Sequence, residues 1–101
     1  MKDSVLIIDD EEELRNLLSR LISLEGYKVQ TAETGKNGLA LMHKEDFSVV
    51  VTDVVLPDIN GIELINSFKK INPQTEVIVI TVFGTIEDGV RAIKEGAFDY
   101  I

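Results

Sequence analysis

Short apolar runs alternate along the chain with longer segments in which apolar residues recur at helical spacing. The short runs are rich in β-branched residues and predict five strands, at residues 5–8, 27–31, 49–51, 77–80 and 98–101. Three of these runs are continuously apolar, which is typical of parallel strands buried on both faces. The pattern therefore predicts a parallel sheet with helices packed on both sides.

Four helices are predicted between the strands. The first begins after Asp10 and ends near Gly26, the third ends before Pro73, and the fourth follows Thr85 and ends at Gly96. The residues expected to face the core are, helix by helix, Leu14, Leu17, Leu18, Leu21 and Ile22; Leu39 and Met42; Ile62, Ile65, Phe68 and Ile71; and Ile86, Val90 and Ile93.

The element order βαβαβαβαβ predicts an α/β fold with a doubly wound parallel sheet. Right-handed crossovers favour a flavodoxin-like strand order of 2-1-3-4-5, in which ligands bind outside the carboxyl ends of the strands. A length of 101 residues is that of one domain, and no repeat or low-complexity linker divides it.

The composition argues against several classes of binding partner and of metal site. The formal net charge of −8 disfavours direct contact with nucleic acid or with anionic membranes. The absence of cysteine excludes disulfides and thiolate metal sites. The start of the chain has no apolar stretch long enough for a signal peptide or a membrane span, so a cytoplasmic location is expected.

Polar residues follow three of the predicted strands. Asp9 and Asp10 follow the first strand, Asp53 ends the third, and Thr81 ends the fourth. Two carboxylates about 4 Å apart repel by roughly 4 kcal/mol at an effective dielectric of 20, so such a cluster calls for a cation. Oxygen ligands on an open rim with room for water suit Mg²⁺.

Each residue also has a purely structural interpretation. Asp10 alone is best explained as a helix N-cap, Asp53 as the start of a loop, and Thr81 as an ordinary strand residue. The functional interpretation depends on their coincidence at neighbouring strand ends.

Four segments give the chain a specific resemblance to the receiver domain of two-component response regulators. They are residues 6–12 (LIIDDEE), 50–61 (VVTDVVLPDING), 79–81 (VIT) and 96–101 (GAFDYI). The second segment resembles the phosphorylation-site motif of that family and is the most diagnostic. The stretch from residue 85 to residue 100 most resembles receivers of NtrC-like transcriptional activators.

The resemblance implies a phosphoacceptor that assists its own phosphorylation and dephosphorylation, rather than a conventional enzyme. It implies that Asp53 receives the phosphoryl group from a sensor histidine kinase and that Asp10, Asp53 and the backbone carbonyl of Val55 bind Mg²⁺, with Asp9 helping through water. It further implies that Thr81 and Tyr100 switch a surface that an output domain or downstream protein reads.

The resemblance also predicts that residues 1–101 are a receiver domain incomplete at its C-terminus, because the family's lysine and fifth helix come later. An uncovered sheet face is then expected to cause self-association. A protein-interaction module that is never phosphorylated is the alternative function.

Other phosphate chemistry fits the sequence less well. A dehalogenase-type phosphatase needs an acid where Val55 stands, and Gly35-Lys36 lacks the other residues of a P-loop. His43 is expected to lie on a solvated helix face.

Overall fold

The computed structural model describes residues 3–80 and 86–101, in which strands and helices alternate as the sequence predicts. The elements are β1 (Ser4–Ile8), α1 (Glu12–Leu24), β2 (Lys28–Ala32), α2 (Gly35–Lys44), β3 (Val49–Asp53), α3 (Gly61–Ile71), β4 (Glu76–Ile80), α4 (Ile86–Lys94) and β5 (Asp99–Tyr100).

The strands form one parallel sheet in the order β2-β1-β3-β4-β5, which confirms the predicted fold. β1 lies between β2 and β3, and Ile8 at its end is in register with Ala32 and Thr52. Asp53 is in register with Ile80 at the end of β4. The carboxyl ends of the strands therefore meet at one edge.

The main core lies between the sheet and helices α2 and α3. Apolar side chains of β1, β3 and β4 form one buried cluster with those of α3, in which Ile62, Leu64, Ile65 and Phe68 are completely buried. Each Å² of apolar surface removed from water contributes about 25 cal/mol to stability. This layer is therefore the principal source of stability. This layer fixes the positions of β1 and β3, and the acidic residues lie at the carboxyl ends of these two strands.

On the opposite face of the sheet, α1 is buried less deeply than its apolar spacing predicts. No residue of α1 is fully buried, and Leu17 and Leu21, expected in the core, are 48% and 51% exposed. β1 is buried on both faces, whereas β3 and β4 alternate buried with partly buried residues. α1 contacts β1 and β2, so the other strands receive little cover from it.

The predicted inward face of α4 is wrong at two of its three positions. Val90 and Ile93 are 51% and 52% exposed, while Ala92 is buried. The cause is close packing against β5: a Cβ at Gly89 would lie 3.2 Å from Cδ1 of Tyr100, so small residues turn inward. The side chain of Ile86 lies outside the described residues.

No helix within residues 3–80 and 86–101 combines the length and apolar character needed to cross a lipid bilayer.

Candidate functional site at the carboxyl edge of the sheet

The structure brings together the three carboxylates that the sequence places at strand ends. One carboxylate oxygen each from Asp9, Asp10 and Asp53 lies within 4.8 Å of the others. The parallel pairing of β1 with β3 is the cause, because Ile8 pairs with Thr52 and the next residues, Asp9 and Asp53, therefore lie side by side. The predicted convergence is therefore confirmed for these three residues.

Asp9 is the innermost member of the cluster, with only 2% of its surface exposed. Its backbone N–H donates to the Ala32 carbonyl at 3.1 Å, and its Oδ1 accepts from the Glu11 N–H at 2.8 Å. Its carbonyl accepts from Nη1 of Arg15 at 2.9 Å, and the Arg15 side chain is itself largely buried. These bonds fix the backbone from which the carboxylates project.

Asp10 is not the N-cap of α1. The cap position is occupied by Glu11, which makes no side-chain capping bond, and Asp10 is exposed at the rim of the cluster. The Glu11 amide donates to the Asp9 carboxylate instead, which reaches forward to the start of the helix. Helix capping therefore does not explain the aspartate at position 10.

The electrostatics of the cluster favour a bound cation. Burial raises the pKa of Asp9, the bond from the Glu11 amide opposes this, and the charges of Asp53, Asp10 and Glu11 raise it further. In the described part of the chain, the ion pairs are Arg15–Glu33 and Arg91–Glu63, and neither involves the cluster. Three clustered carboxylates, one exposed to water, fit a hard divalent cation such as Mg²⁺ or Ca²⁺.

The loop after β3 carries the other expected ligand. Asp53 is partly buried, and its Oδ1 accepts from the Val55 N–H at 3.3 Å. The side chains of Val54 and Leu56 are buried, whereas that of Val55 is exposed. Val55 is therefore held beside Asp53 by its neighbours and its backbone rather than by its own side chain.

Three further residues were considered from the sequence: Thr81, Tyr100 and His43. Thr81 lies outside the described residues and follows Ile80, the partner of Asp53 in the sheet register. Tyr100 is in register with Val79 and packs partly buried against Gly89 of α4. His43 is exposed on α2, as expected.

Three residues that shape the site are not among the candidates that the sequence suggests. The Asp58 carboxylate accepts from the amides of Gly35 and Lys36, at 2.9 Å each. Gly61 packs against the Asp53 carbonyl, and Arg15 against that of Asp9. Two of them left a signal in the sequence: Arg15 is the one basic residue among the acidic residues at the start of α1, and Gly61 is a glycine after a turn. The partners of Asp58 are distant in sequence and become apparent only in the folded structure.

Comparison with known proteins agrees with this geometry. The response regulator receiver domain family matches residues 5–101. A putative NtrX-like response regulator of Rickettsia conorii is 40% identical over 99 residues, covering 96% of this chain and 21% of the relative. The chain thus spans about a fifth of the length of that relative.

Two solved structures are closely similar. A receiver domain protein from Methanospirillum hungatei superposes with a TM-score of 0.96 at 32% identity, covering 100% of this chain and 81% of the other. A response regulator from Burkholderia pseudomallei, solved with a phosphorylated aspartic acid, a calcium ion and citrate, gives a TM-score of 0.94 at 30% identity, covering 98% and 58%.

The same family is indicated by the strand order, by the acidic edge and by the family match over nearly the whole chain. The relatives are NtrC-like response regulators, as predicted. The chain belongs to the response regulator receiver domain family.

Proposed function

We propose that this domain accepts a phosphoryl group on Asp53 in the presence of Mg²⁺. The observation that carries the proposal is the convergence of Asp9, Asp10 and Asp53 within 4.8 Å at the carboxyl edge of the sheet. The phosphorylated aspartic acid and calcium ion of the Burkholderia pseudomallei relative support it.

Asp10, Asp53 and the backbone carbonyl of Val55 would hold the metal, with Asp9 acting through a water molecule. When bound, the divalent cation neutralises the carboxylates and the oxygens of the incoming phosphoryl group, and this is its main contribution to phosphoryl transfer. The contribution of the protein is to position the reacting carboxylate and the metal ligands. β3 and the Val55 amide orient the Asp53 carboxylate, and the bonds to Asp9 fix the first acidic pair.

In the proposed reaction, an Asp53 oxygen attacks the phosphorus of a phosphohistidine on a sensor kinase. A new P–O bond forms, the P–N bond breaks, and its electron pair returns to the imidazole nitrogen. The product is an acyl phosphate. Thr81 would then donate to a phosphoryl oxygen, and Tyr100 would move further inward from its place against Gly89, changing the surface of α4 and β5.

The proposed setting is a cytoplasmic regulator whose output, in the same protein or a partner, controls transcription. The transcriptional regulatory protein GlrR of Escherichia coli, 34% identical over 97 residues, supports the output assigned here.

Labelling with acetyl phosphate and Mg²⁺, read by intact mass, tests the proposal. The wild-type chain should gain one phosphoryl group, and Asp53→Asn should gain none. Asp46→Asn is the matched control, because Asp46 is an exposed aspartate outside the cluster and its replacement should leave labelling unchanged. Labelling that survives in Asp53→Asn would reject Asp53 as the acceptor, and absence of labelling in the wild type would favour a binding module.

A further inference from the structure

The loop between β3 and α3, residues 54–60, carries the proposed metal ligand Val55 without regular secondary structure. Its two ends are anchored close to the strand and the helix. The Gly61 N–H donates to the Val54 carbonyl at 2.8 Å, and the Asn60 side chain accepts from the Ile62 N–H at 2.8 Å. The middle of the loop needs a separate anchor, because Pro57 and Asp58 are exposed.

Asp58 supplies that anchor across a gap in sequence of more than twenty residues. Its Oδ1 accepts from the Gly35 N–H and its Oδ2 from the Lys36 N–H, both at 2.9 Å. These are the first two amides of α2, which have no partner within the helix, and a helix N-terminus favours a negative charge. The bonds from Lys36 and Gly35 lower the pKa of Asp58, which agrees with an ionised carboxylate in both contacts.

The packing around Gly35 shows that loop and helix are fitted to one another. A Cβ at Gly35 would collide with the Ile59 side chain and lie 2.9 Å from Cδ1 of Leu64. Ile59 is partly buried against the core. The loop therefore presses on the start of α2 at the point where Asp58 bonds to it.

We propose that Asp58 is a positioning residue for metal binding, because it ties the loop that carries Val55 to the N-terminus of α2. This inference rests on the proposed function, since it concerns the same metal site. Mg²⁺ demands near-ideal octahedral geometry, so a loop that samples more conformations must be ordered when the ion binds. Loss of a group that orients a ligand typically weakens metal affinity about 10- to 100-fold, and Asp58 acts through the backbone, so about tenfold is expected.

Calorimetric titration with Mg²⁺ of the wild type, Asp58→Asn and Thr34→Ala tests the inference. Thr34 is the matched control, because its side chain caps the same end of α2 by accepting from the Asn37 N–H at 3.1 Å, a bond within the helix rather than to the loop. Both variants should melt at lower temperature than the wild type. Only Asp58→Asn should raise the dissociation constant for Mg²⁺, by about tenfold.

The outcomes distinguish failure of the proposed metal site from failure of the role assigned to Asp58. A wild type that binds no Mg²⁺ would reject the proposed metal site and the inference with it. A wild type that binds while Asp58→Asn binds equally well would reject the inference alone. Equal weakening in Asp58→Asn and Thr34→Ala would also reject it, because the effect would then belong to α2 as a whole.

A second measurement uses only the wild type and does not depend on folding of the variants. Coupling between two sites is reciprocal, so Mg²⁺ must strengthen the Asp58 anchor if the anchor strengthens Mg²⁺ binding. Amide hydrogen exchange should slow at Gly35 and Lys36 on addition of Mg²⁺ more than at Asn37, whose amide is bonded to Thr34. Equal slowing at the three amides, or none, would contradict the proposal.

Discussion

The backbone of Gly61 lies directly against the carbonyl group of Asp53. A Cβ built at position 61 would collide with the Asp53 carbonyl oxygen and stand 2.9 Å from its carbonyl carbon. Both obstacles are backbone atoms, so no change of side-chain rotamer can relieve the contact. Gly61→Ala should therefore destabilise the fold by about 1–3 kcal/mol, measured by urea denaturation, and should also weaken Mg²⁺ binding because it moves Asp53.

Gly26→Ala separates the two effects. Gly26 has φ of +96° and nothing within 4 Å of the added Cβ, so its replacement should cost roughly 1–2 kcal/mol through backbone strain alone. Its affinity for Mg²⁺ should equal that of the wild type. Weakened binding in Gly26→Ala would show that affinity follows general stability rather than the contact with Asp53.

Magnesium should raise the melting temperature of this domain. A ligand that binds only the folded state stabilises it by about 2.7 kcal/mol when its free concentration is a hundredfold above its Kd. Asp10→Asn should blunt this effect, since Asp10 is an exposed member of the cluster whose loss removes a ligand without disturbing the core. Thermal melts across a magnesium titration measure it, and a melting temperature that does not change would remove the metal from the proposed mechanism.

Much of this architecture could be predicted from the sequence because strands buried on both faces leave a strong pattern. The run at residues 5–8 and the helical spacing of Ile62, Ile65 and Phe68 both identify their elements. The acidic edge could also be predicted, because the topology alone aligns the residues that follow β1 and β3.

Side-chain partners within that frame were harder to predict. Helical spacing identifies an apolar stripe but not what covers it, so Val90 and Ile93 were expected in the core although Ala92 faces inward. The pairing of Asp58 with the start of α2 joins segments that no local pattern connects. Contacts of this kind, between residues far apart in sequence, depend on where the loops lie in the folded protein. Composition and periodicity do not specify that placement.

Asp9→Asn should have opposite effects in the absence and presence of metal. Without metal it removes a buried charge that lies close to two other carboxylates, and it retains an oxygen that can accept from the Glu11 amide. The metal-free protein should become more stable by roughly 1–4 kcal/mol. At saturating Mg²⁺ the gain should shrink or reverse. Paired melts with Mg²⁺ or EDTA measure both, and a metal-free variant less stable than the wild type would contradict the prediction.

The contribution of Asp58 to stability should depend on pH in a defined direction. Its pKa is lower in the folded state than its ordinary value near 3.8, so the unfolded state binds more protons between the two values. The stabilisation is fully present above pH 3.8 and is lost as pH falls through the folded pKa. Asp58→Asn should therefore be less stable than the wild type at pH 6, with a difference that narrows at lower pH. A difference that grew on acidification would show that the charge of Asp58 opposes folding.

The last prediction concerns the apolar face beside α1. Leu17 and Leu21 are about half exposed there, and Ile22, Tyr27 and Val51 line a neighbouring depression of about 300 Å³. Exposed apolar surface of this kind favours burial against another molecule. We expect a protein of residues 1–101 to form a concentration-dependent dimer through this face.

Leu21→Lys should abolish that dimer, because it places a charge on the exposed apolar face while leaving the buried core untouched. Val90→Lys is the matched control: Val90 is equally exposed, but on α4. Sedimentation equilibrium should show a dimer for the wild type and for Val90→Lys, and a monomer for Leu21→Lys. Dissociation by Val90→Lys alone would place the contact on α4, and a wild type that remains monomeric at high concentration would show that the α1 face does not drive self-association. Because Leu21 and Val90 receive the same substitution at the same exposure, a difference between the two folded variants indicates which face is buried in the dimer.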